Sequence, residues 1–199
     1  MKPGKIVLIV FGLTILSLFS SYIKKLLDYI FGKRCIIYNN IKICVKSGKF
    51  QDKKKTLLKT LGNYLNKLFA VLKILESSNK NVKRLMEKIG EKGITEIEEI
   101  NASSEYTEHN GKNFKVCLGK IEVIEEEEDI IDLNTLVFVV LHELAHTMTV
   151  EEGHTKEFID NWKFLLKQAD AINIYTPVNY KNNNHSYCGT RLTNNPLIN

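Results

Sequence analysis

The sequence predicts an α+β fold: a small mixed sheet packed on helices, preceded by an N-terminal transmembrane helix. Three observations point there. Short half-apolar runs flank Asn39-Asn40 and again Asn110-Gly111, the pairing expected of β-hairpins. Apolar residues recur at three- and four-residue steps through long lysine-rich stretches, the period of amphipathic helices. The chain also opens with a long uncharged apolar run.

That run covers residues 6–23, eighteen positions without a charge. At about 1.5 Å per residue it nearly crosses a hydrocarbon core of roughly 30 Å. Lys2 and Lys5 precede it, whereas Lys24, Lys25, Lys33 and Arg34 follow. The positive-inside bias then puts the rest of the chain on the cytosolic side of a membrane crossed once. A cleaved signal peptide and a buried core helix are the alternatives, the first favoured by Ser17, Ser20 and Ser21 near the end of the run. The chain so divides into an anchor with a basic juxtamembrane segment, residues 1–34, and one domain, residues 35–199.

In the domain, Cys35-Ile36-Ile37-Tyr38 and Ile41-Lys42-Ile43-Cys44-Val45 predict the first hairpin, because asparagine tolerates the positive φ of a tight turn. Leu57, Leu58, Leu61, Leu65, Leu68, Phe69, Leu72 and Leu75 predict a long helix between residues 52 and 76. Val82, Leu85, Met86 and Ile89 predict a shorter one. Residues 94–100 alternate as a strand, and 106–118 read as the second hairpin. Asp132 and Asn134 offer caps to a helix whose run 136–141 is apolar on every side. Thr155 can cap a last helix with the stripe Phe158, Trp162, Leu165, Leu166 and Ala169, which reads as core.

The 44% hydrophobic content is enough for a real core. Net charge is +5, but the basic residues crowd the first half while Glu125, Glu126, Glu127, Glu128 and Asp129 form an acidic run. A nucleic-acid partner therefore draws no support from bulk charge. Cys35, Cys44, Cys117 and Cys188 are widely scattered, which fits reduced thiols in a cytosolic compartment better than the dense disulfide framework of a small secreted domain.

The chemistry concentrates in His142-Glu143-Leu144-Ala145-His146. Four residues on a helix turn through about 400°, so both imidazoles leave one face, one turn apart, and can share a Zn²⁺ ion. Catalytic zinc keeps one corner for water and needs a third protein ligand. His154 is the candidate, because Gly153 before it can reverse the chain towards the first two histidines. Glu143 lies beside His142 in sequence and suits a base that takes a proton from a metal-activated water, the mechanism of peptide hydrolysis. Tyr106, Tyr175, Tyr180 and Tyr187 are possible oxyanion donors, and His185 and Cys188 could approach the metal and mask it.

These residues, with His154-Thr155-Lys156-Glu157-Phe158 behind the motif, resemble the WLM and SprT-like zinc metallopeptidases. The likeness continues through 132–139 upstream and through 175–180 and 187–189 downstream, an arrangement similar to WLM-type proteins encoded by large DNA viruses. The resemblance implies a zincin-like domain over about residues 35–199, a third ligand at His154, and a protein or peptide substrate laid along a sheet edge within 106–118. Together with the apolar run 6–23, it describes a membrane-anchored zinc peptidase. Because some members of the family cleave proteins crosslinked to DNA, a DNA-stimulated peptidase is an alternative; a catalytically idle, zinc-stabilised interaction protein is another.

Overall fold

A computed structural model describes residues 23, 32–100, 107–109, 112–121, 124–182 and 185–198. Apart from Ile23, the expected membrane span lies outside the described residues, as do Asn110, Gly111 and Tyr106. Among the described residues, no helix is long and apolar enough to cross a membrane.

The first hairpin forms as its sequence requires. Strands β1 (Lys33–Tyr38) and β2 (Ile41–Lys46) pair antiparallel around Asn39 and Asn40, at φ 49° and 64°, the left-handed pair that a two-residue turn demands. Helices α1 (Gln51–Leu75) and α2 (Lys80–Ile89) then cross to strand β3 (Glu96–Glu99), which runs parallel to β2. Such a parallel join needs a long connection, and the two helices supply it. Strand β4 (Thr107–His109) pairs antiparallel with β5 (Asn113–Val116), which is parallel to β3, giving a mixed sheet ordered β1-β2-β3-β5-β4. The expected second hairpin is therefore present, and β4 is an edge of the sheet.

Ile41, Ile43, Ile97 and Phe114 turn one sheet face into the core, where Leu58, Leu61, Leu65 and Leu68 of α1 are fully buried. Gly62 lets helix and sheet close up: a β-carbon there would stand 3.0 Å from Ile41 Cδ1. At one end of this interface Lys54 Nζ meets Glu99 Oε1 at 2.7 Å, with side chains only 9% and 3% exposed. The other Glu99 oxygen accepts from the backbone N–H of Lys46 at 2.7 Å, so both charges are satisfied inside.

Helix α3 (Leu133–Met148) starts where Asp132 accepts from the backbone N–H and hydroxyl of Thr135, at 2.9 and 2.7 Å. Asn134 exchanges two hydrogen bonds with the backbone of Thr176, at 2.9 and 2.7 Å, fixing that end against the C-terminal segment. Residues 136–141 are all buried, as their unbroken apolar run predicts. Helix α4 (Lys156–Ala171), capped by the Thr155 hydroxyl, packs along α3 through Phe158, Trp162 and Leu165.

Two features depart from the sequence reading. Strands β6 (Ser186–Tyr187) and β7 (Thr190–Arg191) form a small hairpin turned by Cys188 and Gly189, at φ 49° and 78°. The four cysteines are also not free thiols: Cys35 is bonded to Cys44, directly across the first hairpin, and Cys117 to Cys188. Cys117 and Cys188 stand 71 residues apart, so spacing could not reveal their bond, whereas Cys35 and Cys44 face each other across the expected first hairpin.

Candidate metal centre

The last turns of α3 bring His142 and His146 onto one face, with their Nε2 atoms 3.3 Å apart. The helix stops after Met148, where the backbone N–H of Thr149 closes back on the carbonyls of Ala145 and His146. Arg84 of α2 donates to the Met148 carbonyl, a cation at a helix C-terminus. The chain then turns at Gly153, φ 86°, a conformation that costs glycine nothing. That turn returns His154 to the helix, with its Nε2 3.1 Å from the Nε2 of His142.

The ligand atoms of His142, His146 and His154 all lie within 4.8 Å of one another. At zinc–nitrogen distances of about 2.0–2.1 Å, two corners of a tetrahedron stand roughly 3.3 Å apart. The two separations from His142 match that spacing. Below them lies Phe158. Its ring centroid is 4.9 Å from that of His142, 4.2 Å from His146 and 4.7 Å from His154. Trp162 meets His142 edge-on at 4.7 Å. Such an apolar bed limits ring movement and lowers the local dielectric.

Electrostatics suit cation binding. Burial, reinforced by the neighbouring charges of His146 and His154, pushes His142 down to about 3, so its lone pair is available at neutral pH. Burial alone raises Glu143 to about 7, the range in which a carboxyl can take up and return a proton. Both residues line a cavity of about 570 Å³ whose apolar wall includes Phe138, Val139, Ile159, Trp162 and Leu192.

The other candidates fall elsewhere. Cys188 is bonded to Cys117 and so offers no thiolate to mask a metal. His185 lies outside the histidine cluster and packs its ring edge-on against Tyr180. Tyr175 is buried, its hydroxyl held by Asn195 at 2.8 Å, and Tyr180 is fully buried; neither lines the cavity. Tyr187 does line it, with its hydroxyl accepting from the backbone N–H of Cys117 at 2.9 Å. Sequence reasoning missed the cavity wall formed by 190–194. Its only advance signal was Gly189, a turn residue near the C-terminus.

No protein-family model matches the chain. The chain is similar to viral proteins. An uncharacterised protein of Acanthamoeba polyphaga mimivirus is 29% identical over 139 residues, 69% of this chain and 65% of that protein. An uncharacterised protein of Invertebrate iridescent virus 6 is 46% identical over 44 residues, and one of Invertebrate iridescent virus 3 is 50% identical over 46. These matches cover 22% and 23% of this chain and 25% and 29% of those proteins. The chain thus spans just under two thirds of its mimivirus relative. Among solved structures, Wss1 from Saccharomyces cerevisiae overlaps 47% of this chain and 77% of its own, with TM-score 0.33 and 16% identity.

Proposed function

We propose that this chain is a zinc-dependent peptidase in which His142, His146 and His154 hold the metal and Glu143 is the general base. One observation supports the reading above others: three imidazole nitrogens gather within 4.8 Å, the His146 and His154 ones at 3.3 and 3.1 Å from that of His142, while Glu143 lines the adjoining cavity. Zinc supplies Lewis acidity towards water and a carbonyl oxygen. The remaining work belongs to the chain's own residues. His142 and His146 are held by a buried helix, and His154 by the Gly153 turn, so the ligands are ordered in advance. The Glu143 carboxylate takes a proton from the attacking water and returns it to the leaving amine, a task matched by its raised pKa. The cavity walls take up an apolar part of a protein or peptide substrate. The main chain of that substrate can align with the sheet edge at β4.

Metal analysis and cleavage of an unfolded protein test the proposal on the purified chain. Wild type should carry one zinc and cleave; His154→Ala should lose zinc; Glu143→Gln should keep zinc and lose cleavage. Cleavage surviving in Glu143→Gln would assign the activity to a contaminant and favour an idle, zinc-stabilised interaction protein. Stimulation by DNA that falls steeply with salt would favour a DNA-directed peptidase.

Membrane tethering through residues 6–23 belongs to the same proposal and rests on the uncharged run. The lysine asymmetry favours a cytosolic domain, whereas two disulfides favour an oxidising compartment. Protease protection of sealed vesicles carrying the full chain decides between the two faces.

A further inference from the structure

The β6–β7 hairpin forms a wall of the cavity beside the histidines and brings to it a group that metal-assisted hydrolysis does not require. Among the described residues, Glu143 is the one acidic residue lining the cavity, and Arg191 the one lysine or arginine. The Arg191 side chain is exposed, and no carboxylate among the described residues lies within ion-pairing distance of it. The same cavity is lined by the apolar side chains of Phe138, Val139, Ile159 and Trp162.

The backbone beneath Arg191 is firmly fixed. Cys188 is bonded to Cys117, its N–H donates to the Gly119 carbonyl at 2.9 Å, and the Gly189 N–H donates to the Lys120 carbonyl at 3.0 Å. On the far side, the Leu192 N–H donates to the His185 carbonyl at 2.9 Å. A guanidinium with no acidic partner among the described residues, carried on an anchored strand that lines this cavity, can receive a planar anion through two parallel hydrogen bonds.

We infer that Arg191 makes this cavity selective for peptides that carry a carboxylate beside an apolar residue, whether on an acidic side chain or at the C-terminus. The inference rests on the reading of this cleft as the substrate site, and adds to it the class of substrate preferred. Hydrogen bonds to a charged partner, at a site open to solvent, set the expected discrimination at about tenfold.

The test uses the full-length, zinc-loaded chain with Glu143→Gln, so that binding is read without turnover. Fluorescence anisotropy compares peptides sharing one apolar core: internal Glu against Gln, and free C-terminal acid against amide. The acid should bind about tenfold tighter in at least one of these pairs, and the pair that responds identifies the source of the carboxylate. Adding Arg191→Gln should bring that ratio to near one, and Arg191→Glu should invert it towards a lysine peptide. Zinc content and thermal midpoint, unchanged in both variants, exclude a folding defect. Equal binding of acid and neutral peptides, no binding of either, or a preference that survives Arg191→Gln would overturn the inference. Wild type that binds with the predicted ratio but never cleaves would instead sink only the peptidase reading.

Discussion

Asn161 of α4 donates from Nδ2 to the hydroxyl of Thr149, 3.0 Å away in the protein interior. The Thr149 hydroxyl in turn donates to the Ala145 carbonyl at 2.7 Å, and Asn81 of α2 donates to the Asn161 oxygen at 2.8 Å. Three helices are thus joined at the point where α3 ends and the loop to His154 begins. Asn161→Ala leaves Thr149 and Asn81 short of partners and should cost about 1–3 kcal/mol. It should also weaken zinc binding without touching a ligand, by freeing the loop exit. Chemical denaturation and zinc competition with a chelator check both effects; unchanged zinc affinity would separate this network from the metal site.

The Lys54–Glu99 pair predicts an asymmetry between single and double changes. Glu99→Ala leaves a buried ammonium without its carboxylate, so a loss of about 3–5 kcal/mol is expected. Lys54→Met combined with Glu99→Leu removes both charges from the same volume and should be far milder. Urea midpoints of the three proteins give the comparison, and a double variant as unstable as the single one would refute the account.

Opening Cys117–Cys188 with Cys188→Ser should destabilise the fold by up to about 4 kcal/mol, since the bond closes a loop of 71 residues. Breaking Cys35–Cys44, which spans 9, should cost roughly 2.5 kcal/mol. The first change should also loosen the cavity wall, whereas the second lies at the far edge of the sheet. Thermal midpoints, with peptide binding measured alongside, distinguish a local from a global effect.

Alkaline stability should be governed by two tyrosines. Burial raises Tyr175 to about 12 and pushes Tyr180 further up. Their neutral form is favoured in the folded state, so this contribution is fully present below pH 10, the ordinary tyrosine value. It is lost as pH rises towards 12 and beyond, because the unfolded chain releases these protons first. Tyr175→Phe should therefore flatten the fall in stability above pH 10, as read by denaturation at a series of pH values.

The legible parts of this fold are those where local chemistry leaves one choice. Asn39-Asn40 permits the first turn, the leucine stripe of α1 needs the helical period, and Thr155 and Asp132 cap the helices they precede. The relative placement of His142 and His146 is fixed by a single helical turn, and Gly153 signalled the return of His154. What stayed hidden depends on distant partners. Two-residue strands such as β6 and β7 carry no periodicity to read. Their turn places Cys188 at positive φ, a position more usual for glycine or asparagine, and its bond to Cys117 cannot be inferred from spacing. Phe158 was visible as one member of an apolar stripe, but its place beneath three imidazoles follows only from how α4 lies along α3.

With all four cysteines locked in sulfur–sulfur bonds, no thiolate is left to bias the proposed centre. Imidazole alone accepts nickel, cobalt and copper as well as zinc, and copper(II) outranks the rest in intrinsic affinity. If the proposed centre is built from imidazole alone, zinc occupancy should depend on supply, so wild type grown with excess copper should carry less zinc than wild type grown with excess zinc.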